Sequence, residues 1–337
     1  MIASSFTPPV RPAFPSWVRH TTYAGLCAVG VPIAKSMELM GLWPQVVIRR
    51  LKKKASDFGS YEPSTSDIFA CAGFKSGTTW LLQILVQTAY RGAAEFENIH
   101  SVVPWPDAPA PIIPFIIPLA DDSPVKCSPT ALRVIKTHLP QERVPWSAKA
   151  RYVALVRDPK DVMVSGYHFL RALIFGPLMP SIDHWIDLNL AAELPHGSWA
   201  RHVASYWRVR KQTNVLFLTY EAMLRDPRAA IVEIARFMRV ELTEAELEAV
   251  TLASSFAGMQ KSHSKFDPGR IVPWGGERFM LRRGRSGGSS ELLTPQMQRR
   301  IDDHYRAELL SLGCDFPYDE MFGTTAEHAH SAIALRA

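Results

Sequence analysis

The chain has 337 residues, 47% hydrophobic and 21% charged, and so is a folded globular protein long enough for one large α/β domain or two smaller ones. Its net charge of +6 and isoelectric point near 9.2 favour anionic ligands, but the excess is small and no basic stripe is interleaved with aromatic residues, which argues against a nucleic-acid partner. Its four cysteines contain no C-x-x-C pair, which argues against a zinc site or a disulfide framework and predicts a cytoplasmic protein.

Residues 1–60 are predicted to be an N-terminal extension, partly disordered or helical. Four prolines between residues 8 and 15 favour an extended or disordered start, and residues 33–54 are expected to be largely helical with a break at Pro44. The basic run at residues 49–54 is interpreted as a solvated helix face. We expect this segment to pack on the domain, with contact to a membrane surface as the alternative.

The most apolar part of this extension, residues 23–34, is not predicted to cross a membrane. It is too short for a bilayer, and Pro32 interrupts it. It also lacks the basic start and the cleavage site of a signal peptide. The sequence therefore predicts no transmembrane segment.

Residues 67–89 have the pattern of a strand, a phosphate-binding loop and a helix. An apolar run at residues 68–72 predicts a buried strand, and residues 78–89 have a helical pattern. The loop between them supplies Lys75, Gly77 and several hydroxyl groups. N–H groups at a helix start attract anions, the lysine adds a full positive charge, and the glycine lets the backbone approach a ligand.

This loop differs from the common P-loop, in which the lysine follows the second glycine. Here Lys75 precedes Gly77. The stretch therefore predicts a P-loop-like anion site, with a surface turn and a capped helix as the alternative.

Residues 99–129 contain eight prolines among apolar side chains. Proline disrupts the hydrogen bonding of helices and sheets, so we predict neither a helix nor an ordinary strand here. The loop either lines a pocket for a hydrophobic ligand or packs on the core, and the sequence favours neither alternative.

Three further apolar runs, at residues 132–136, 152–156 and 215–218, are predicted to be strands. Strands that alternate with helices predict an α/β fold with a central parallel sheet flanked by helices. We place this single domain at residues 61–320, followed by a C-terminal tail at residues 321–337.

Helices are predicted after the later strands. One follows residue 158 and carries Ser165, and another opens with Ser198 as its N-cap. A third begins at Pro227 with Asp226 as its cap. The ranges predicted for the last three helices are 227–238, 243–253 and 295–311.

Polar side chains cluster just past the predicted strands, where open α/β sheets bind ligands. They are Lys75, Lys136, His138, Arg157, Ser165 and Tyr220. Several cations match a ligand with two or more phosphates. His138 is the one obvious proton acceptor, because an imidazole with the unperturbed pKa of about 6.5 is mostly neutral at pH 7. No carboxylate pair has the character of a metal site, so no metal is predicted.

A series of motifs resembles the cytosolic-type sulfotransferases, which use 3′-phosphoadenosine 5′-phosphosulfate (PAPS). The resemblance extends from about residue 66 to residue 318, and the ordered set is far more specific than any one motif. The matching motifs are residues 74–80, 136–140, 157–165, 197–199, 218–221, 254–256 and 282–284.

The resemblance implies a site for the sulfuryl donor. The residues implied in binding the 5′-phosphosulfate are Lys75, Ser76, Gly77, Thr78 and Thr79. Trp80 would stack on the adenine, Tyr220 and Ser254 would contact the adenosine, and Phe256 would lie against the base. The residues implied in holding the 3′-phosphate are Arg157, Ser165, Arg282, Arg283 and Gly284.

The resemblance also implies the catalytic roles. His138 would be the general base, and Lys75 and Lys136 would stabilise charge on the sulfuryl group during transfer. Ser165 would restrain Lys75 until an acceptor arrives. The implied reaction is an in-line transfer from PAPS to a hydroxyl, with an amine as the second option, which releases PAP without a metal.

Two apolar loops indicate the kind of acceptor. Residues 102–119 and residues 170–180 are rich in large hydrophobic side chains, and the second includes Leu173, Ile174, Phe175 and Leu178. This pattern favours a hydrophobic small molecule, such as an alcohol, a phenol or a lipid-like compound, over a polysaccharide.

The chain departs from the family pattern in two places. Residues 287–290 read Gly-Gly-Ser-Ser where the family usually has Gly-Asp-Trp-Lys, and Arg283 replaces a lysine. The loop after Gly284 is therefore expected to close differently. The short dimer motif of the family is not found near residues 261–277, which leaves the oligomeric state open.

Two other functions fit the sequence less well. A P-loop kinase would need a Walker lysine and a metal-binding carboxylate, and neither is in its place. A nucleotide-binding module without catalysis is disfavoured because Lys75 and His138 are both present.

Overall fold

The computed structural model of the chain describes residues 15–39, 58–108, 116–192, 197–268, 272 and 280–323. Four parallel strands form its centre, in the order β2-β1-β3-β4. They are β1 (Asp67–Ala72), β2 (Arg133–Thr137), β3 (Arg151–Val156) and β4 (Val215–Thr219). The α/β fold with a central parallel sheet is confirmed, and each predicted strand lies within about one residue of an observed one.

Helices cover the sheet on both faces. In chain order they are α1 (Ser16–Gly25), α2 (Val31–Leu39), α3 (Thr78–Ala89), α4 (Ser123–Cys127), α5 (Pro159–Leu170), α6 (Ile182–Leu190), α7 (Trp199–Val209), α8 (Tyr220–Arg225), α9 (Pro227–Met238), α10 (Glu244–Ser254), α11 (Phe256–Lys261), α12 (Pro295–Ser311) and α13 (Tyr318–Phe322). Leu26–Gly30 and Arg171–Phe175 form π-helical turns.

The sheet is buried on both sides, which explains why its strands are continuous apolar runs. Side chains of a strand alternate between the two faces. On β1, Ile68 and Ala70 belong to the core formed with α3, α9 and α10. Phe69 and Cys71 belong to a second core on the opposite face, together with Tyr206 of α7.

Polar side chains cap the helices as predicted. The Ser198 side chain accepts from the N–H of Arg201 at the start of α7, and Asp226 accepts from the N–H of Ala229 at the start of α9. At the start of α10, Thr243 and Glu246 form a capping box that the sequence analysis missed.

The N-terminal helix begins earlier than predicted. Helical structure extends from Ser16 to Leu39, so the start expected near residue 33 was wrong. Pro32 does not end the helix. It directly follows the π-helical turn Leu26–Gly30, and a π turn is one of the local irregularities by which a helix continues past a residue that disturbs its hydrogen bonding. The expected break at Pro44 and the basic run lie outside the described residues.

The helix packs on the domain through its inner side. A Cβ built on Gly30 would lie 3.2 Å from Leu178, and the Glu38 carboxylate accepts from the backbone N–H of Ser181 at 2.8 Å. Within the described part of the chain, no helix is long and apolar enough to cross a bilayer.

The proline-rich loop contains one helix that was not predicted. Helix α4 has Pro124 in its first turn, where the missing N–H has no intrahelical partner to lose. The remaining described part of residues 99–129 contains only the short 3₁₀ turn Ile99–Ser101 and irregular structure.

Candidate active site

A cavity of about 750 Å³ opens at the carboxyl edge of the sheet. Side chains that follow each of the four strands line it, among them Lys75, His138, Arg157 and Tyr220. Strand β1 lies between β2 and β3. The connection after β1 leads to β2 on one side, and the connection after β3 leads to β4 on the other. Such a reversal is where open α/β sheets bind ligands.

The loop between β1 and α3 has a tightly constrained backbone. The N–H of Ser76 donates to the carbonyl of Gly73 at 3.1 Å, and the N–H of Leu81 donates to that of Gly77 at 3.1 Å. Lys75 has a φ of 61°, in the left-handed region that a lysine rarely adopts. Such backbone strain is concentrated at functional sites.

Gly77 is needed both for its backbone conformation and for its lack of a side chain. Its φ is 100°, and a Cβ at this position would lie 2.6 Å from Cδ2 of Tyr220. We expect Gly77→Ala to weaken PAP binding by at least about tenfold, since the loop or Tyr220 must move by enough to cost on the order of 1–3 kcal/mol. Isothermal titration calorimetry with PAP measures this change.

Gly59→Ala is the matched control for Gly77→Ala. Gly59 also has a positive φ, 55°, but a Cβ there would meet nothing within 4 Å. This variant therefore carries a similar backbone cost without the steric clash, and its PAP affinity should equal that of the wild type. Wild-type affinity in Gly77→Ala would contradict the steric argument.

Two lysines of the cavity lie over aromatic rings. Nζ of Lys75 is 4.1 Å from the ring centroid of Phe169, and Nζ of Lys136 is 3.2 Å from that of Trp105. The ring faces stabilise the ammonium groups. The pKa of each is nevertheless lowered to about 7, mainly by burial, and for Lys75 the charges of Arg157 and Arg282 contribute to this value. For Lys136, Asp107 opposes the effect of burial and Lys75 adds to it.

His138 is held in one tautomer by the end of β1. Its Nδ1 lies 2.5 Å from the carbonyl oxygen of Ala72. A carbonyl only accepts, so Nδ1 carries the proton and the lone pair of the neutral ring is on Nε2. The backbone N–H of His138 donates to Oδ2 of Asp107 at 2.8 Å, and the ring meets Trp105 edge to face. These contacts orient the ring as a base requires.

Arg157 occupies the floor of the site. Its guanidinium lies 4.3 Å from the ring centroid of Tyr220 and pairs with Asp161 at 3.2 Å. The indole N–H of Trp80 donates to the carbonyl of Ser254 at 2.9 Å, and the Trp80 ring meets Tyr220 edge to face. Predicted donor-site residues that are distant in the sequence are thus in direct contact.

Orphaned polar atoms indicate that this region is built for a polar ligand. Within the described part of the chain, Oγ of Ser254 and Nε of Arg157 are buried without a hydrogen-bond partner. Buried polar groups are rarely left unpaired in proteins unless they serve a function. Together with the cations and the aromatic rings, these atoms fit a polar ligand with several anionic groups, such as the donor that the resemblance implies.

The loop after Gly284 closes on the side chain of Asp161. Oδ2 of Asp161 accepts from the N–H of Gly287 at 2.9 Å and from the hydroxyl of Ser286 at 3.2 Å. The carbonyl of Arg285 accepts from Arg157 at 3.1 Å. These bonds hold the loop where the sequence lacks the family's tryptophan.

Arg282 and Arg283 share one carboxylate. Both guanidinium groups pair with Glu291, which also lies 3.0 Å from Nε2 of His168. Gly284 beside them has a φ of 60°, and a Cβ there would lie 2.3 Å from the ring of Phe256. The two arginines are therefore gathered at the cavity by an internal anion.

Apolar side chains form the other side of the cavity, which we call the acceptor wall. Its residues are Phe74, Phe169, Leu173, Ile174, Phe175 and Pro180. Leu178 is not part of this wall, because it packs against Gly30. From the proline-rich loop, His100, Trp105 and Asp107 reach the cavity, whereas residues 109–115 lie outside the described residues.

The structure brings all but one of the predicted site residues to this cavity. Those that line it are Lys75, Gly77, Thr78, Thr79, Trp80, Lys136, His138, Arg157, Ser165, Tyr220, Ser254, Phe256, Arg282, Arg283 and Gly284. Ser76 is the exception: its side chain is buried behind the loop, and its N–H is bonded to Gly73.

Several residues of the site were missed in the sequence analysis. Asp161 could have been found, since it lies four residues after Arg157 on the helix that follows β3. Trp105 and Asp107 had no signal beyond their position in the proline-rich loop, and Glu291 had none. Among the described residues, no group of three or more His, Cys, Asp or Glu side chains could hold a metal ion.

A family model and an individual relative both match this chain over most of its length. The model of the sulfotransferase domain family matches residues 65–313. Sulfotransferase 1C2 of Oryctolagus cuniculus is 28% identical over 269 residues, which are 76% of this chain and 88% of the relative.

Two solved structures share the fold. Retinol dehydratase in complex with androsterone and inactive cofactor PAP has a TM-score of 0.63 at 22% identity, over 81% of this chain and 88% of that one. Mouse sulfotransferase SULT7A1 complexed with PAP has a TM-score of 0.55 at 24% identity, over 79% and 89%.

Proposed function

The chain belongs to the sulfotransferase domain family and is a PAPS-dependent sulfotransferase, and we propose that it sulfates a hydroxyl group of a hydrophobic small molecule with His138 as the general base. One observation carries the proposal: the oriented imidazole of His138 and the two lysines Lys75 and Lys136 line the same cavity. The acceptor wall adjoins them in that cavity.

The positions of the cations support an assignment of the donor site. Lys75 and the start of α3 would bind the 5′-phosphosulfate, and Arg157, Ser165, Arg282 and Arg283 would bind the 3′-phosphate. Trp80, Tyr220, Ser254 and Phe256 would hold the adenosine. Ser76 would contribute through the shape of the loop rather than through its hydroxyl. PAPS supplies an activated sulfuryl group, and PAP is the expected product.

The chemistry assigned to the protein is a proton transfer and charge stabilisation. Nε2 of His138 takes the proton of the acceptor hydroxyl as the oxygen attacks sulfur in line, and the bond from sulfur to the bridging oxygen breaks. Lys75 stabilises the negative charge that grows on the bridging oxygen, and Lys136 stabilises the sulfuryl oxygens. No step requires a metal.

The acceptor wall supports a hydrophobic acceptor. Phe169, Leu173 and Phe175 line the cavity with apolar surface. A sugar polymer would leave its hydroxyl groups facing this surface without partners, which is unfavourable. An aliphatic amine is a weaker candidate as acceptor, since it is mostly protonated at neutral pH and then has no lone pair to attack sulfur.

Labelled PAPS with a panel of steroid alcohols, phenols, fatty alcohols and oligosaccharides tests the proposal. We expect transfer to one or more of the hydrophobic alcohols or phenols. Preferred transfer to oligosaccharides would refute the hydrophobic acceptor. Tight PAP binding without transfer to any acceptor would favour a nucleotide-binding module. A parallel assay replaces PAPS with labelled ATP, and transfer from ATP alone would refute PAPS as the donor.

We expect PAP affinity to decrease as the pH rises above about 7. Lys75 is assigned to the 5′ end of the donor, and its pKa without ligand is about 7, so it is mostly neutral at pH 8 and must take up a proton to pair with phosphate. Affinity should fall by up to about tenfold per pH unit for each such proton. Below about pH 6 Lys75 is already mostly charged, and this dependence should vanish.

Calorimetry in two buffers of different ionisation enthalpy measures this proton uptake directly. At pH 8 the uptake should approach one proton and should fall in Lys75→Met, which cannot titrate. An affinity independent of pH between 7 and 9 would contradict the shifted pKa values.

The domain limits 61–320 and the cytoplasmic location remain predictions.

A further inference from the structure

A second, much smaller cavity lies behind the loop between β1 and α3, and we call it the rear cavity. Its volume is about 30 Å³, and a buried water needs roughly 10–15 Å³. Gly73, Ser76 and His202 line it, and the last two are 1% and 5% exposed. Phe74 and His138 line both this cavity and the active-site cavity. The loop therefore has the active site on one side and the rear cavity on the other.

His202, on α7, carries a buried nitrogen at this cavity that no protein group satisfies. Within the described part of the chain, its Nε2 has no hydrogen-bond partner. Burial lowers the pKa of His202 to about 4, so the ring is neutral at pH 7, with one nitrogen that donates and one that accepts. A buried nitrogen without a partner is costly, and such groups are usually satisfied by ordered water. The rear cavity is large enough to hold that water.

The loop in front of His202 needs support from behind. Lys75 has a left-handed backbone, and strained conformations persist only where the surrounding structure holds them. A Cβ built on Gly73 would lie 3.2 Å from Oγ of Ser76 and 3.8 Å from Nδ1 of His202. The side chains of Ser76 and His202 thus approach the same point behind the strained residue.

We propose that the rear cavity holds a water that bridges Nε2 of His202 and the hydroxyl of Ser76, and that His202 is a positioning residue for the donor loop. The bridge keeps Ser76 behind the loop and so keeps Lys75 in its left-handed conformation, with its ammonium group in the active site. His202 does not line the active-site cavity, so it acts through the loop alone. The role in donor binding rests on the proposed function, which assigns this loop to the 5′-phosphosulfate.

Crystal structures of the ligand-free wild type and of His202→Leu test the bridge itself. The wild type should show an ordered water within hydrogen-bonding distance of Nε2 of His202 and Oγ of Ser76. The variant should lack it, because leucine offers no partner. A wild-type rear cavity without this water would overturn the proposal. The measurement needs neither PAPS nor an acceptor, so it is independent of the proposed function.

Calorimetry with PAP tests the positioning role. His202→Leu should weaken PAP binding by about tenfold, because the released loop must be ordered again when the donor binds. His202→Gln should restore most of the affinity, since its amide reaches the position of Nε2. His202→Asn reaches only the position of Nδ1 and should not. If glutamine restores no more affinity than asparagine, His202 serves only to fill space, and the positioning role is refuted.

A double-mutant cycle with Ser76→Ala separates the bridge from a direct contact of Ser76 with the donor. Both single variants break the same bridge, so Ser76→Ala/His202→Leu should bind PAP about as tightly as either single variant. Losses that multiply in the double variant would mean that the two residues act separately, and would overturn the proposal. If His202→Leu does not fold, as judged by circular dichroism, the same cycle is made with His202→Asn.

His304→Leu is the matched control. His304 lies on α12, where its Nε2 is 3.5 Å from Glu308, and it lines neither cavity. The substitution is chemically the same, but it does not touch the loop, so PAP affinity should equal that of the wild type. An equal loss of affinity in His304→Leu and His202→Leu would refute a role specific to His202.

Discussion

His138→Ala is expected to lower the turnover number by about 10²–10⁴-fold, the usual contribution of a general base. The bond from Nδ1 to the carbonyl of Ala72 fixes the ring so that Nε2 holds the lone pair, and alanine removes that acceptor. The role assigned to His138 is proton transfer, and other residues are assigned to the donor, so PAP affinity should change little. Initial rates with labelled PAPS and the preferred acceptor measure the effect.

His184→Ala provides the control for this variant. His184 lies on α6 and does not line the cavity, so its replacement should leave turnover unchanged. A His138→Ala enzyme with nearly normal turnover would refute the assignment of the base. A loss confined to PAP affinity would instead mean that His138 serves only to bind the donor.

Lys75→Ala should cost on the order of 10²–10³-fold in turnover, as expected for a group that stabilises charge in the transition state. The strained backbone at φ 61° and the contact with Phe169 at 4.1 Å hold its ammonium group in the cavity. Because the charge on the bridging oxygen grows during transfer, turnover should suffer more than PAP affinity. Stopped-assay kinetics together with calorimetry separate the two quantities.

Lys149→Ala is the control, since Lys149 is exposed and remote from the cavity. It should behave as wild type. Normal turnover in Lys75→Ala would refute the role of this lysine in the transition state. A normal turnover number with PAP affinity lowered by the same factor would reassign Lys75 to donor binding alone.

Much of the fold followed from local patterns. The four strands are short apolar runs because they are buried on both faces of the sheet, so hydrophobicity alone located them. Helix starts were equally readable, since Ser198 and Asp226 are followed by free N–H groups that need an acceptor. The site residues that follow different strands lie close together because the carboxyl ends of parallel strands are at the same edge of the sheet.

The positions of individual side chains depended on contacts that sequence patterns do not contain. Ser76 follows a lysine in the left-handed conformation, and this turn sends its side chain behind the loop. Glu291 meets Arg282, Arg283 and His168 only through the closed fold. Trp105 reaches Lys136 from an irregular loop whose course no periodicity describes. The N-terminal helix extends through Pro32 because of a π turn.

The lowered pKa of the two cavity lysines has a chemical consequence. At pH 7 an exposed lysine with an ordinary pKa of about 10.4 is deprotonated in roughly one molecule in 2,500. Lys75 and Lys136, with pKa values of about 7, are free amines in a large share of molecules. A free amine is a nucleophile, so acylating reagents small enough to enter the cavity will modify these two lysines long before the exposed ones. The site thus carries its own selective attachment point for a covalent label.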